Sequence, residues 1–233
     1  MRRCRWSADS PDPDVRGPLT LFGVTLLLAR HAQASWGADH YDALSDLGHV
    51  QSQLLGEGLA ARDLRPDLVV SGSLTRHAET VDGIFKGAGW DLDVAVDEGW
   101  NEFDHENVIE VYQSGPRRGV IDDDVFLNAI ATWQSGTRDH EYAESWPDFA
   151  ARVAAAMERT VALAPSGRVL VVTSGGPIGS SVSRLLTGSP EGWLPIAFSC
   201  VNASLTKLAR RDGNPVLFSL NEHSHLGEHV THR

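Results

Sequence analysis

Three apolar runs in this 233-residue chain end in residues that can handle a phosphate or another oxyanion. Phe22 to Ala29 runs into Arg30-His31, Asp67 to Ser71 into Ser73-Leu74-Thr75-Arg76, and Arg168 to Thr173 into Ser174-Gly175-Gly176-Pro177. Guanidinium groups grip phosphoryl oxygens in forked pairs. The free N–H groups of a helix start add donors, and a neutral imidazole held in that field can attack phosphorus. Each piece alone has a plain structural reading. An Arg-His dipeptide carries almost no information, Arg76-His77 is another instance, and Gly-Gly-Pro is an ordinary strand-to-helix turn. Their joint placement is what points to chemistry, because the strand ends of a parallel sheet gather on the edge where ligands bind.

The elements that must bring these ends together follow from the spacing of apolar residues. Phe22 to Ala29 is almost continuously apolar, as a strand covered on both faces is. Ser45 to Arg62 reads as a helix, with Ser45 as N-cap and Leu47, Val50, Leu54, Leu55 and Leu59 on one stripe. A buried strand at Asp67 to Ser71 leads into a helix through about Phe85, followed by a short strand at Asp93 to Val96. Residues 99–146 are weakly periodic and read as an irregular insertion with short helices. A helix from Trp146 to about Leu163, a strand over Arg168 to Thr173 and a helix at about 177–187 come next, Pro177 suiting a first helical position. Two strands, at about 197–209 and 215–220, close the chain. This alternation predicts an α/β three-layer sandwich, a mostly parallel central sheet with helices on both faces. Residues 1–19 carry Pro11, Pro13 and Pro18 without an apolar period and read as a mobile extension, and residues 20–233 as a single domain.

Composition narrows the partners. With 20 Lys+Arg against 31 Asp+Glu the net charge is −11. That excess argues against a nucleic-acid binder, which needs a basic face, and against an anionic membrane surface. Cys4 and Cys200, the two cysteines, cannot build a disulfide framework or a Cys-rich zinc site, so a reducing cytoplasm is expected. No run approaches the roughly 20 apolar residues of a membrane span.

At this point the sequence resembles a known family. LLLARHAQAS looks like the opening strand-and-loop motif of the histidine phosphatase superfamily, the phosphoglycerate-mutase-like fold. LSDLGHVQSQLLGEGL is similar to its first helix, VVSGSLTRHAET to its second arginine motif, WNEFDHENV to its acidic motif and RVLVVTSGGPIG to its last strand and loop. The resemblance spans about residues 22–226. It implies a phosphomonoester hydrolase that needs no cofactor or metal and acts on a small phosphorylated metabolite. His31 would be the nucleophile that forms a phosphohistidine and Glu102 the acid that protonates the leaving alkoxide. Arg30 and Arg76, with Ser174 and Gly175, would bind the phosphoryl oxygens. A homodimer is left open.

The departures from the family pattern matter. The family usually has a second histidine at the position of Ser174, and its Gly-Glu-Thr after the first histidine is Ala32-Gln33-Ala34 here. Serine carries no charge, so reduced activity is expected; the alternative is a weak or inactive member that binds a phosphorylated ligand or a protein. His105, in the loop of Glu102, is a candidate to compensate, against a plain reading as a loop histidine paired with Asp104 or Glu106. His77, roughly 100° round a helix from Arg76, reads as a surface or packing residue. Arg117 and Arg118 would meet a second anionic group or simply pair with Asp122 to Asp124. Trp36 and His40 are expected to line the pocket, and Trp90, Trp100, Trp133, Trp146 and Trp193 to pack the core or the insertion. His223, His225, His229 and His232 in the tail lack a second compact ligand group and read as non-metal.

Overall fold

Val24–Arg30 (β1), Leu68–Ser71 (β2), Val94–Val96 (β3), Gly167–Thr173 (β4), Leu205–Arg211 (β5) and Asn214–Glu222 (β6) form one sheet in the order β3-β2-β4-β1-β5-β6. The computed structural model that shows this describes residues 24–35, 42–114, 122–164, 166–211 and 214–232. The expected extension at 1–19, Trp36, His40, Arg117 and Arg118 lie outside the described residues. β3, β2, β4 and β1 run parallel, while β5 pairs antiparallel with β1 and β6 antiparallel with β5. Arg30 lies opposite Thr173 in the β1–β4 register, so the strand ends carrying His31 and Ser174 are direct neighbours.

Alternation along the strands sorts the core into two layers. Leu27, Ala29, Val69, Leu170 and Val172 face one way, onto Asp46–Ala61 (α1) and Thr75–Ala88 (α2) through Leu55, Leu59, Val81 and Ile84. Leu26, Leu28, Val70, Val169 and Val171 face the other way. They meet Trp146–Leu163 (α5) and Gly175–Thr187 (α6) through Phe149, Val153, Ile178 and Val182. Each such side chain gains about 1.5–3 kcal/mol from burial, which is why both strand faces must be apolar. The expected three-layer α/β sandwich is therefore observed.

Ser45 caps α1 as expected, accepting from the Gly48 N–H. The insertion carries His105–Tyr112 (α3) and Asp123–Gln134 (α4), capped by Asp104 and Asp122, and its Trp133 stacks at 4.8 Å on Phe103. Of the five tryptophans assigned to packing, Trp100, Trp133, Trp146 and Trp193 are buried and Trp90 is partly buried against the α1–α2 side.

Two boundaries differ from expectation. The helix after β4 begins at Gly175 rather than 177. The strand expected from 197 begins at Leu205, because Trp193–Ser199 forms a helix (α7) packed on α6. Gly179 permits that approach: a Cβ there would lie 2.5 Å from the Trp193 carbonyl oxygen. Of the apolar residues that opened the expected strand, Ala197 serves this helix–helix contact and Phe198 meets Phe126 instead.

Candidate functional site

His31 sits one residue beyond β1, where its N–H donates to the Thr173 carbonyl at 2.8 Å and its own carbonyl accepts from Ala203 N–H at 3.2 Å. The following loop is latched twice. Ala32 N–H donates to Thr80 Oγ1 at 3.0 Å, and Gln33 N–H to Gln51 Oε1 at 2.9 Å. Gln51 also holds the C-terminal segment through His229 and Thr231. The His31 Nδ1 lies 2.7 Å from the Ala32 carbonyl. A carbonyl only accepts, so Nδ1 carries the proton and Nε2 the lone pair. Burial, and then the charges of Arg76 and Arg30 in that order, hold the His31 pKa well below the usual histidine range, outweighing the Ala32 bond. The imidazole is thus neutral, with Nε2 as its unprotonated nitrogen.

The two arginines flank it from different elements. Arg30, the last residue of β1, donates to the Cys200 carbonyl and, at 3.2 Å, to that of His232. Arg76, in the first turn of α2 and 8% exposed, pairs with Asp42 at 2.5 Å. Asp42 also accepts from the Thr75 N–H; although burial opposes it, these contacts hold its carboxyl below the ordinary range.

Glu102 reaches the same place from the insertion. Its Oε2 accepts from the Gly176 N–H at 3.0 Å, at the start of α6. Burial raises its pKa above the usual carboxylate value, although the Gly176 bond and the Arg76 charge oppose that. The carboxylate fits only because residue 176 is glycine, since a Cβ would lie 2.0 Å from Oε1. Its loop is held from behind by Arg152, which donates to the Glu98, Gly99 and Asn101 carbonyls and forms a two-point pair with Glu144. Thr173 Oγ1 donates to the Trp100 carbonyl at 2.5 Å and ties that loop to β4.

Arg30, His31, Arg76, Glu102, Gly175 and Gly176 line a cleft of about 640 Å³. It brings a neutral imidazole, two cations and a carboxyl of raised pKa into one cavity. Ser174 is not on the cleft wall: it is fully buried, and its Oγ lies 2.8 Å from His77 Nε2. His77 is fully buried as well, its ring centroid 5.7 Å from that of His31. Sequence spacing had pointed His77 away from Arg76, and it is buried all the same because the first turn of α2 packs against Gly72, just after β2, and Ser174, just after β4. His105 lines the cleft at the start of α3. Thr80, Gln51 and Arg152 had no sequence signal, because each acts by tertiary hydrogen bonds. Among the described residues no group of three or more His, Cys, Asp or Glu is placed to hold a metal ion, and no helix is long and apolar enough to cross a membrane.

Known proteins share this arrangement of strands and helices. A phosphoserine phosphatase from Entamoeba histolytica, a mutant form solved in complex with phosphoserine, superposes with a TM-score of 0.66 at 22% identity, over 87% of this chain and 99% of that one. A phosphoglycerate mutase from Bacillus anthracis gives 0.63 at 21%, over 89% and 97%. A mycobacterial glucosyl-3-phosphoglycerate phosphatase, in complex with inorganic phosphate, gives 0.61 at 25%, over 86% and 98%. A 2,3-bisphosphoglycerate-dependent phosphoglycerate mutase from Mesorhizobium japonicum is 28% identical over 101 residues, 40% of this chain and about half (49%) of that protein's length. The family description that matches residues 26–223 agrees with the fold, and the chain belongs to the histidine phosphatase superfamily, branch 1.

Proposed function

We propose that the protein hydrolyses phosphomonoesters of small metabolites through a phosphohistidine on His31. The observation that carries this reading is the Nδ1 contact to the Ala32 carbonyl, which leaves Nε2 unprotonated in a cleft that also holds Arg30, Arg76 and Glu102. Nε2 attacks phosphorus and the P–O bond to the alcohol breaks. The bonding pair leaves on the alcohol oxygen, which takes the proton of Glu102. Water then attacks the phosphohistidine and gives a proton to the Glu102 carboxylate, and the P–N pair returns to Nε2 as phosphate departs. Arg30 and Arg76 offset charge on the transferring oxygens at both steps.

The likeness to a phosphoserine phosphatase and a glucosyl-3-phosphoglycerate phosphatase supports hydrolysis; the likeness to mutases keeps phosphoryl transfer between hydroxyls as the second reading. The cytoplasmic setting read from cysteine content belongs to this proposal, and Cys200 fits it as a buried free thiol whose pKa burial pushes up to about 11. The test is phosphate release from a panel of phosphomonoesters by the wild type and His31→Ala. Release by the wild type alone supports the reading, and activity retained without His31 would sink it. Interconversion of the two phosphoglycerates without net phosphate release would favour the mutase. Phosphate binding without any turnover would favour the non-catalytic alternative raised by Ser174.

A further inference from the structure

We propose that the site takes phosphomonoesters whose alcohol part is apolar. This rests on the phosphohydrolase reading and names its substrate class. The cleft changes character from floor to mouth. Among its described lining residues the Lys and Arg side chains are Arg30 and Arg76, both at the floor beside His31. One wall of the mouth is apolar: Phe126 of α4 meets Phe198 of α7 edge to face at 5.8 Å, with Leu127 and Leu194 alongside. Leu127 and Phe198 are 43% and 50% exposed. Large apolar side chains left in water at a cavity mouth gain about 25 cal/mol per Å² once a ligand covers them. Asp122 and Asp123, at the start of α4, line the same mouth.

The test compares kcat/KM for 2-phenylethyl phosphate, phosphoserine and 3-phosphoglycerate, three esters of aliphatic alcohols. The expected order puts 2-phenylethyl phosphate at least about tenfold above the other two. Phe198→Ser should lower only the first value, by about tenfold. Phosphoserine or 3-phosphoglycerate outranking 2-phenylethyl phosphate, or equal losses on all three in Phe198→Ser, would overturn the assignment. If none of the esters is hydrolysed, the hydrolase reading fails rather than the class. Calorimetry then decides the class: tighter binding of 2-phenylethylphosphonate than of 3-phosphonopropionate supports it, and the reverse order overturns it.

Independently of the mouth, we infer that His77 is a positioning residue that fixes the phosphoryl-binding elements through a buried bridge to Ser174. His77 lies in the first turn of α2 beside Arg76, and Ser174 immediately precedes α6, so their 2.8 Å bond ties two helix starts together. Ser174 stands at the N-cap of α6 but its side chain does not cap the helix. The imidazole has a slot made for it: a Cβ on Gly72 would lie 2.3 Å from His77 Nδ1. Nδ1 has no hydrogen-bond partner. Orphaned buried N–H groups are rarer than under-satisfied acceptors, which places the proton on Nε2, donating to Ser174 Oγ. Burial and the Arg76 charge push the His77 pKa down to about 3, so the bridge adds no charge next to His31. Where the family resemblance put a second histidine, this chain brings an imidazole from α2 to the side of Ser174.

The test uses His77→Ser, Ser174→His and the reciprocal double variant, which keeps an imidazole–hydroxyl pair with the partners exchanged. Ser174→Ala is the least disruptive fourth variant. The single variants should lose about 10²-fold in kcat, the scale of an ångström of misplacement, and the exchange should recover most of it. KM, melting temperature and orthophosphate affinity by calorimetry are read alongside. Affinity needs no turnover and so separates this inference from the hydrolase reading. Single variants that keep wild-type kcat and phosphate affinity, or an exchanged variant whose loss is the product of the two single losses, would overturn it.

Discussion

Replacing Gly176 by alanine adds one methyl group where Glu102, the proposed general acid, rests. The new Cβ would lie 2.0 Å from Glu102 Oε1, 3.0 Å from its Cδ and 3.2 Å from Phe149 Cζ, whereas ordinary contact begins at 3.4 Å. The carboxyl must therefore withdraw by roughly 1 Å or more, and a misplacement of that size costs about 10² in rate. That is about 2.7 kcal/mol in the barrier. The moving group is the free end of a side chain, and alanine is the better helix former. The melting temperature should accordingly stay within a few degrees of the wild type. The assay contrasts an alkyl phosphate, whose alkoxide needs a proton to leave, with p-nitrophenyl phosphate, whose phenolate does not. Gly176→Ala should lose about 10²-fold on the alkyl ester and only a few-fold on the aryl ester. Equal losses on both, or full activity on the alkyl ester, would refute the placement of the acid.

Three further outcomes follow from the same geometry. His31 must be neutral to attack, and its lowered pKa puts the acid limb of kcat/KM below pH 6.5; Glu102 must be protonated to donate, and its raised pKa puts the alkaline limb above pH 4.5, so Glu102→Gln should abolish that limb. His77, at about 3 folded against 6.5 unfolded, makes the unfolded chain bind more protons between those values. Stability should thus fall as pH drops from 6.5, by up to about 1.4 kcal/mol per pH unit for this group, and urea unfolding at pH 6.5, 5.5 and 4.5 should give a shallower fall in His77→Gln. Arg152→Ala frees three carbonyls of the Glu102 loop, and should lower kcat on alkyl phosphates by roughly tenfold while leaving p-nitrophenyl phosphate turnover nearly unchanged.

The sheet was legible because burial on both faces forces unbroken apolar runs, and β1, β2 and β4 carry them. Arg30, His31, Arg76 and Gly175 were legible because each ends or closely follows such a strand, whereas Glu102 was legible only through the resemblance of WNEFDHENV to the family's acidic motif; all five line one cleft. α7 was not, since an apolar heptad between two turns reads equally as strand until its packing on α6 is known. Ser174 was placed at the strand end and expected among the phosphoryl-binding groups; its side chain is fully buried and its hydroxyl is turned to His77. That partnership crosses 97 positions and has no periodic signature. The same holds for Thr80, Gln51 and Arg152, whose roles exist only in three dimensions.

The central claim is that His31 Nε2 carries the phosphoryl group. Mixing enzyme with a turned-over phosphomonoester, quenching in alkali within milliseconds and mapping the modified peptide by mass spectrometry tests it directly. Phosphate on Nε2 of His31, lost in His31→Ala and accumulating when Glu102 is replaced and an aryl ester is used, is the predicted result. Turnover with no phosphorylated His31, or with the label on another residue, would contradict it.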